Sequence, residues 1–563
     1  MLSGTRRCFI LTGVLWLCFL TKLVFYSSFV PLWEGYDEFS HFAFVQYLAG
    51  THRLPDLQNT SSSQEVAESL RLAPVPWIIR DWTPGWISYD DFWRLPAAAR
   101  QERESELKKI PPALARESAP NLRLYEAQQP PLAYLLYWIP YVLLQGADIT
   151  TRAWALRIIG AAIASFVVPL GFVVARRVFR NEWQAVGVAA VAASMPELIM
   201  MVDHAGNEPL AIVLGAGCVY ALSLMENHAR RPLLRALSLG SLIGCGLLTK
   251  AYFLALIPPI AGVYAVLMWR NPGSRGRIGV QLLITLAAAT AIAGWWYGRA
   301  IYTTGTLTGN EIAIAARHST RPLLGAIQAI HWGRVADFAL LSHIWLGGWS
   351  FLVLRTWMYR VIGFVLVVGQ VGNLRRVGNP PGRLSANLAI CIAVQVFFWA
   401  GLIYLMFSTW IATGEGAEPG YYAYFLVVPE AVSLIAGFSA LIPISSTRFI
   451  VPALVVCFAA AEVYGTVFCL MPYYGGLTAH SIRGSVPAMH ASRLLNGGVA
   501  ELFRNLSVNK PDFLSPGVLL VLCVSFLLAV VGVVAVSVLL ASGGERGKAG
   551  SVAANGLVPL GSR

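Results

Sequence analysis

The stretch Trp33-Glu34-Gly35-Tyr36-Asp37-Glu38-Phe39-Ser40-His41-Phe42 puts three carboxylates and an imidazole into ten residues. Residues four apart lie on one face of a helix, so Asp37 and His41 can act together if a helix starts here. A carboxylate at the edge of an apolar environment can take the proton from a hydroxyl or amine as that group attacks a substrate. Asp37 and Glu38 are therefore the candidate catalytic residues, with His41 as a candidate substrate-binding residue. Plain capping is the competing explanation, because an Asp before a helix start satisfies free backbone N–H groups and suits the helix dipole. Capping leaves Glu38 and His41 without a role. Asp37 and His41 could ligate a metal, but an i, i+4 pair with no third ligand nearby more often hydrogen-bonds. No metal is assigned, and dependence on a divalent ion is left open.

What must position these residues is a bundle of membrane helices. The chain of 563 residues is 56% hydrophobic and 13% charged, with mean hydropathy +0.60, too apolar for a soluble protein of this length. Apolar segments recur at about 9–30, 152–175, 184–201, 208–225, 235–249, 252–269, 279–297, 357–373, 386–408, 422–443, 449–470 and 516–541, giving an expected all-α polytopic bundle of about twelve spans. The first is long for a signal peptide, carries Lys22 and lacks a clear cleavage site, so it is read as a retained helix. If Arg6 and Arg7 are cytoplasmic, every second loop should be basic. Those loops hold Arg176, Arg177 and Arg180; Arg230, Arg231 and Arg235; Arg270, Arg275 and Arg277; Arg375, Arg376 and Arg383; Arg448; and Arg546 with Lys548. The net charge of +13 thus marks an inner face with both termini on it, and nucleic acid is not needed to explain it.

That alternation works only if residues 129–146, interrupted by Pro140 and rich in Tyr and Trp, lie at the membrane surface rather than cross it. Residues 31–130 then form one external loop holding 14 of the 29 Asp and Glu residues. Its Trp77, Trp82, Trp86 and Trp93 and a charged stretch at 96–110 favour an ordered cap of short helices. The expected organisation is a first helix (1–30), a cap with juxtamembrane helices (31–150), a core transmembrane module (151–300), an external loop (301–356), C-terminal helices (357–541) with a further external loop (471–515), and a cytoplasmic tail (542–563). The loop near 298–356 carries Arg299, Arg317 and Arg321, which could hold a phosphate. The 471–515 loop offers His480, Arg483 and His490. All eight cysteines lie in or beside apolar stretches, so no disulfide framework is expected.

The arrangement resembles the C-type glycosyltransferases, multi-spanning enzymes that use polyprenyl-phosphate-linked sugars. "DEFSHF" is similar to the Asp-Glu-x-His-Phe pattern of protein O-mannosyltransferases, with one extra residue before the histidine. "EAQQPPLAYLL", "MPELIMMVDHAGNEPLAIVLGA", "GLLTKAYFLALIPP" and "EPGYYAYFLVVPEAV" look, in order, like that superfamily's Pro-Pro-Leu juxtamembrane element, second external loop, Leu-Thr-Lys junction and Gly-Arg-Tyr segment. The nearest resemblance is to bacterial membrane proteins with Asp-Glu-x-x-His and Gln-Pro-Pro motifs, and it covers roughly residues 10–445. Tyr421 stands where an Arg is expected, and the second loop offers Asp203 and Asn207 rather than one clear carboxylate. Both departures bear on donor contacts more than on Asp37.

The resemblance implies an inverting glycosyltransferase in a bacterial plasma membrane. Asp37 would be general base, Glu38 and His41 would orient it or the acceptor, and Lys250 with Arg299, Arg317 or Arg321 would neutralise the leaving phosphate. Glu126, Gln128 and Gln129 would line the acceptor site or merely cap the juxtamembrane helix, and Asp203, Asn207, Tyr421 and Tyr422 would line the donor side. The implied partners are a polyprenyl-phosphate sugar, a glycan, lipid or protein acceptor, and membrane lipid. For Lys250 the alternative is snorkelling to the interface, and for the arginines it is headgroup contact. A secondary transporter or flippase is the rival reading, because Lys22, Glu430 and Glu462 lie within helices where charge is costly, although no internal symmetry of a transporter is present. A non-catalytic scaffold is the third. Sidedness is directly measurable: a cysteine at position 37 in a cysteine-free background is expected to react with a membrane-impermeant maleimide from outside the cell, and labelling only after permeabilisation would reverse the topology.

Overall fold

The computed structural model describes residues 4–56, 59–225, 231–377, 385–481, 484–493 and 497–554. Arg230, Arg383 and Arg483, and the side chains of Arg546 and Lys548, lie outside the described residues. A chain in hydrocarbon must satisfy its backbone internally, and here it does so with helices. Among the described residues nine helical segments, from Thr5–Phe29 to Pro516–Ser542, are long and apolar enough to cross a membrane. The pair Glu182–Ala192 and Pro196–Val202, bent by 61°, makes ten if it counts as one span. Each of the twelve expected segments coincides with an apolar helix. Two of them, Glu208–Ser223 and Pro232–Leu247, have only 16 residues, about 24 Å at 1.5 Å per residue against a core of roughly 30 Å. The helix Leu132–Leu143, with Pro140 inside it, is shorter still.

The first helix runs along the last one, Pro516–Ala554, and along Ile149–Ser165. Elsewhere helices close together on small residues: a side chain on Gly437 would overlap the carbonyl of Gly369 on the neighbouring helix. Apolar side chains such as Leu283, Phe364, Val396 and Leu528 stay exposed on the outside of the bundle, as lipid-facing residues do.

Contacts distinguish the two ends. At one, Arg7 lies over Trp183 at 5.5 Å, Arg176 over Phe9 at 5.6 Å, and Asn387 donates to the carbonyl of Arg177 at 2.8 Å. At the other, residues 31–148 fold into a cap with helices Glu38–Thr51, Gln64–Leu72, Tyr89–Arg94 and Ala97–Lys108. One small antiparallel sheet departs from the all-helical expectation, pairing Ser61–Ser63 with Ser118–Arg123. Polar side chains start the cap helices, with Ser63 accepting from Val66 N–H and Ser88 from Asp91 N–H. The cap is tied down by Arg152, which pairs with Glu65 and donates to Tyr141 at 2.7 Å. Trp93 donates to the carbonyl of Tyr474 at 3.1 Å, and Asp90 pairs with His480 at 2.7 Å.

Charges inside the bundle are matched. Lys22 pairs with Glu462 at 2.7 Å and donates to the carbonyl of Ala193 at 2.7 Å. That carbonyl lies at the break before Pro196, where the helix leaves acceptors unused. Glu430 meets His343 Nε2 at 2.8 Å. Removing one partner of a buried pair costs about 3–5 kcal/mol. Lys22→Met is therefore expected to lower the thermal stability of the detergent-solubilised protein sharply, and Lys22→Met with Glu462→Leu to recover most of the loss. A single variant that melts like wild type would show that the pair is not formed.

Candidate functional site

The site begins where the chain leaves the first helix. Helix ends carry carbonyls without partners, and here Arg157, on the helix Ile149–Ser165, takes them. It donates to the carbonyls of Ser27 at 3.4 Å, Val30 at 2.6 Å and Pro31 at 2.7 Å. Its remaining two N–H groups grip Glu38, Nε to Oε1 at 2.6 Å and Nη2 to Oε2 at 2.5 Å. All five guanidinium donors are used. Glu38 also accepts from the backbone N–H of Trp33 at 3.2 Å and of Ala205 at 3.1 Å. Burial works to raise its pKa, but Arg157 outweighs it and holds the carboxyl below the ordinary range. Glu38 thus fixes the turn and has no oxygen left over to move a proton.

Asp37 is held between these anchors with φ 53° and ψ 18°, a left-handed conformation that Asp tolerates better than most residues. Gly35 is needed beside it, because a Cβ there would run into the His204 side chain. The main chain does the capping: the Asp37 carbonyl accepts from Ser40 and His41 N–H at 2.9 and 3.0 Å. Its carboxylate caps nothing. Half-buried, it has no hydrogen-bond or ion-pair partner among the described residues. Burial, then the negative charge of Glu208, push its pKa up to about 7 against the pull of Lys250 and His204.

Around it lies a polar shell. Glu126 is buried, and burial followed by the charge of Asp37 pushes its pKa well up. Its backbone N–H donates to Ser40 at 2.9 Å. His41 Nδ1 lies 2.8 Å from the Tyr134 hydroxyl and 3.8 Å from Glu126. Burial drives the His41 pKa down to about 3, so its ring is neutral. Asn207 donates to Gln129 and to the carbonyl of Thr249, both at 3.3 Å, and Gln128 accepts from Glu311 N–H at 2.9 Å. Asp203 pairs with His204 at 3.3 Å. Lys250 forms an ion pair with Glu208, and its ammonium lies 5.4 Å over the Tyr252 ring and 5.7 Å over that of Tyr422. Tyr421 stacks on Tyr36 at 4.6 Å. Five buried polar atoms here, Glu126 Oε2, Asp203 Oδ2, His204 Nε2, Asn207 Oδ1 and Glu208 Oε2, have no hydrogen-bond partner. Natural folds rarely leave so many together unless a ligand or water meets them.

Of the three arginines read as phosphate ligands, two donate to main-chain carbonyls and one is exposed. Arg299 donates to the carbonyl of Pro55 at 2.9 Å, Arg321 to those of Ile411 and Ala412 at 3.1 and 3.0 Å, and Arg317 is exposed beside Gly305. Conversely, Glu208, Arg157 and His204 were not singled out by the sequence. The only signal for Arg157 is an ionisable residue inside an apolar helix. Glu208 before Pro209 reads as a first-turn acid. Among the described residues no group of three or more His, Cys, Asp or Glu side chains is arranged to hold a metal ion.

No protein-family model matches the chain, and no curated protein does. Among solved structures it is similar to ArnT from Cupriavidus metallidurans bound to undecaprenyl phosphate, with 13% identity over 99% of this chain and 82% of that one and a TM-score of 0.41. It is also similar to the archaeal oligosaccharyltransferase AglB from Archaeoglobus fulgidus in complex with an inhibitory peptide and a dolichol-phosphate, at 13% identity over 91% of this chain and 59% of that one, with a TM-score of 0.39.

The clamp predicts its own failure. Arg157→Met leaves Glu38 buried without a counter-charge, at a cost of about 3–5 kcal/mol. Arg157→Lys keeps the charge but loses the fork and is expected to fall between. Thermal unfolding and protease cutting between residues 30 and 56 measure both, and melting and cutting unchanged in Arg157→Met would remove the clamp.

Proposed function

We propose that this protein is a membrane glycosyltransferase of the C type that moves a sugar from a polyprenyl-phosphate donor to an acceptor on the non-cytoplasmic face, with inversion and with Asp37 as general base. The observation that carries the reading is the Asp37 carboxylate: half-exposed, unpartnered, with a pKa near 7, on a turn fixed from both sides. The sequence resemblance set out above supports it independently. A hydroxyl or amine of a glycan, lipid or protein acceptor attacks the anomeric carbon and its proton passes to Asp37. The bond between that carbon and the phosphate oxygen breaks, and the lipid phosphate leaves with the electron pair. A base works best with a pKa near the working pH, and burial supplies that here.

Lys250 is the cation for the developing phosphate charge. Its present pairing with Glu208 keeps it in the site rather than at the bilayer surface and leaves it available by exchange of one anion for another. Asp203, Asn207, Tyr421 and Tyr422 belong to the donor side, with Glu126, Gln129 and His41 beside the acceptor. Arg299 and Arg317 serve at most the approach of the phosphate. The face follows from the charge rule, which puts the arginine-rich end inside together with both termini. Pairing of Lys22 with Glu462 and of Glu430 with His343 accounts for the intrahelical charges without a transport pathway.

Asp37→Asn is the decisive variant, because Asn also tolerates a left-handed backbone and the lost charge has no partner to strand. It is expected to melt like wild type and to lose about 10²–10⁴ of the incorporation of radiolabelled sugar from membrane lipid into acceptor. Since the base must be ionised, the wild-type rate should rise with pH through about 7 and level off above. Full incorporation by a folded Asp37→Asn protein would rule Asp37 out as the base.

A further inference from the structure

The segment that follows the span Arg275–Thr304 folds into three short helices, Glu311–His318, Leu323–Ala329 and Trp332–Ile344. Both of its ends are fastened beside the Asp37 shell. At one, Glu311 donates its N–H to Gln128 at 2.9 Å and pairs with Arg123 at 2.6 Å. At the other, Ser342 accepts from Gly420 N–H at 2.7 Å and the His343 carbonyl accepts from the Tyr424 hydroxyl at 2.6 Å. The stretch between these anchors is therefore a fixed surface.

Its middle is seated on the span Ala386–Thr413, whose Asn387 is at the arginine-rich end and whose Thr413 is therefore at the cap end. Ala326 and Ile330 are buried against Met406, and Trp332 meets Phe407 edge-on at 5.8 Å. Arg321 donates to the carbonyls of Ile411 and Ala412, which the end of that span leaves over. These contacts fix a depth. Met406 and Phe407 precede Thr413 by seven and six residues, which is about 10 Å below the outer end at 1.5 Å per residue. The 28 residues of the span make about 42 Å, roughly 12 Å more than the hydrocarbon core. Even with all of that excess on the outer side, a point about 10 Å below the end lies in the headgroup layer. Any smaller share puts it in hydrocarbon.

At that depth the segment turns an apolar face outward. Leu323, Leu324, Ile327 and Trp332 are 54%, 65%, 45% and 45% exposed, while Ala326 and Ile330 on the other side are buried. We propose that the Leu323–Ala329 helix and Trp332 are set into the outer leaflet, with Leu323, Leu324, Ile327 and Trp332 among acyl chains and Arg317 and Arg334 at the phosphates of anionic lipids. Depth and charge select this occupant. The face continues the lipid-exposed surface of the span on which it sits, and a Trp at its border is what a membrane interface favours. Arg317 and Arg334 are exposed and have no acidic partner among the described residues. Glu311 is taken by Arg123, which leaves Asp337 as the one unpaired acid on the three helices. A cation held at this level attracts anionic headgroups. The inference needs neither donor nor acceptor and stands apart from the transfer reading.

The test puts the photoreactive p-benzoylphenylalanine in place of Leu324 in the full-length protein, reconstituted in liposomes of phosphatidylcholine and phosphatidylglycerol, and identifies the adducts by mass spectrometry after irradiation. Lipid adducts are expected, with phosphatidylglycerol enriched about fivefold over its share of the bilayer, the effect of roughly one arginine. With Arg317→Gln and Arg334→Gln together the enrichment should fall to near one. All three side chains are exposed, so none of these changes is expected to unfold the protein. A nitroxide on Leu324→Cys, in a cysteine-free background, is expected to collide more often with oxygen than with a water-soluble nickel chelate. The reverse order would place the helix in water and overturn the proposal. A cross-linked dimer in place of lipid adducts would show that a second copy covers the face, which also overturns it. Lipid adducts at the bulk ratio, or an enrichment that survives the loss of both arginines, would remove the anionic lipid as the partner.

Discussion

The turn after the first helix depends on one guanidinium that satisfies both sides of it. On one side Arg157 takes carbonyls that a helix end always leaves over, and on the other it neutralises Glu38, which could not otherwise stay ionised while fully buried. Neither side is stable alone in this setting: the Ser27 and Pro31 carbonyls would lose a donor, with Val30 keeping only Lys510, and the carboxylate would lack a counter-charge. Between them the chain has little freedom, and Asp37 keeps a backbone conformation that most residues avoid. Its carboxylate is half-buried, whereas Glu34 and Glu38 on either side are fully buried. Of the three carboxylates in the opening stretch, Glu34 fixes a loop and Glu38 fixes a turn, and the one between them is spare.

The same economy holds through the molecule. Buried charge is costly in an apolar bundle, and the pairs Lys22–Glu462, Glu65–Arg152, Glu38–Arg157 and Lys250–Glu208 join segments far apart in sequence. Each pair constrains where two elements meet, beyond what apolar packing against lipid-like surroundings provides. Around Asp37 the matching stops, and a group of buried oxygens and one ring nitrogen lack partners. Buried atoms without partners occur singly in the bundle too, as at Asn373 and Asn387, but they gather around Asp37.

Much of this was legible from residue types alone. The apolar periodicity marked the helices, and the three acids after the first of them marked the turn that Arg157 holds. Asp37 was visible because an acid before a helix start is ordinary while three in five positions are not. Partners were not visible. Arg157 lies 119 residues from Glu38, and nothing local in an apolar helix says which carboxylate it serves. Lys22 could be read as needing an acid inside the bundle, but only the packing chooses Glu462 over Glu430. Glu208 was hidden by context, since an acid ahead of a proline at a helix start explains itself as a dipole partner. For the loop arginines the charge suggested phosphate, and the sequence did not show that main-chain carbonyls accept from two of them. The two 16-residue helices show that apolar composition alone does not fix a crossing, because length decides it.

Arg152 and Arg157 ride on the same helix, one gripping the cap through Glu65 and the other gripping the turn that carries Asp37. A span that meets a thicker or thinner bilayer answers by tilting. Here tilt of that one helix would carry Glu65 of the cap and Glu38 of the turn together, as two handles fixed to one rod.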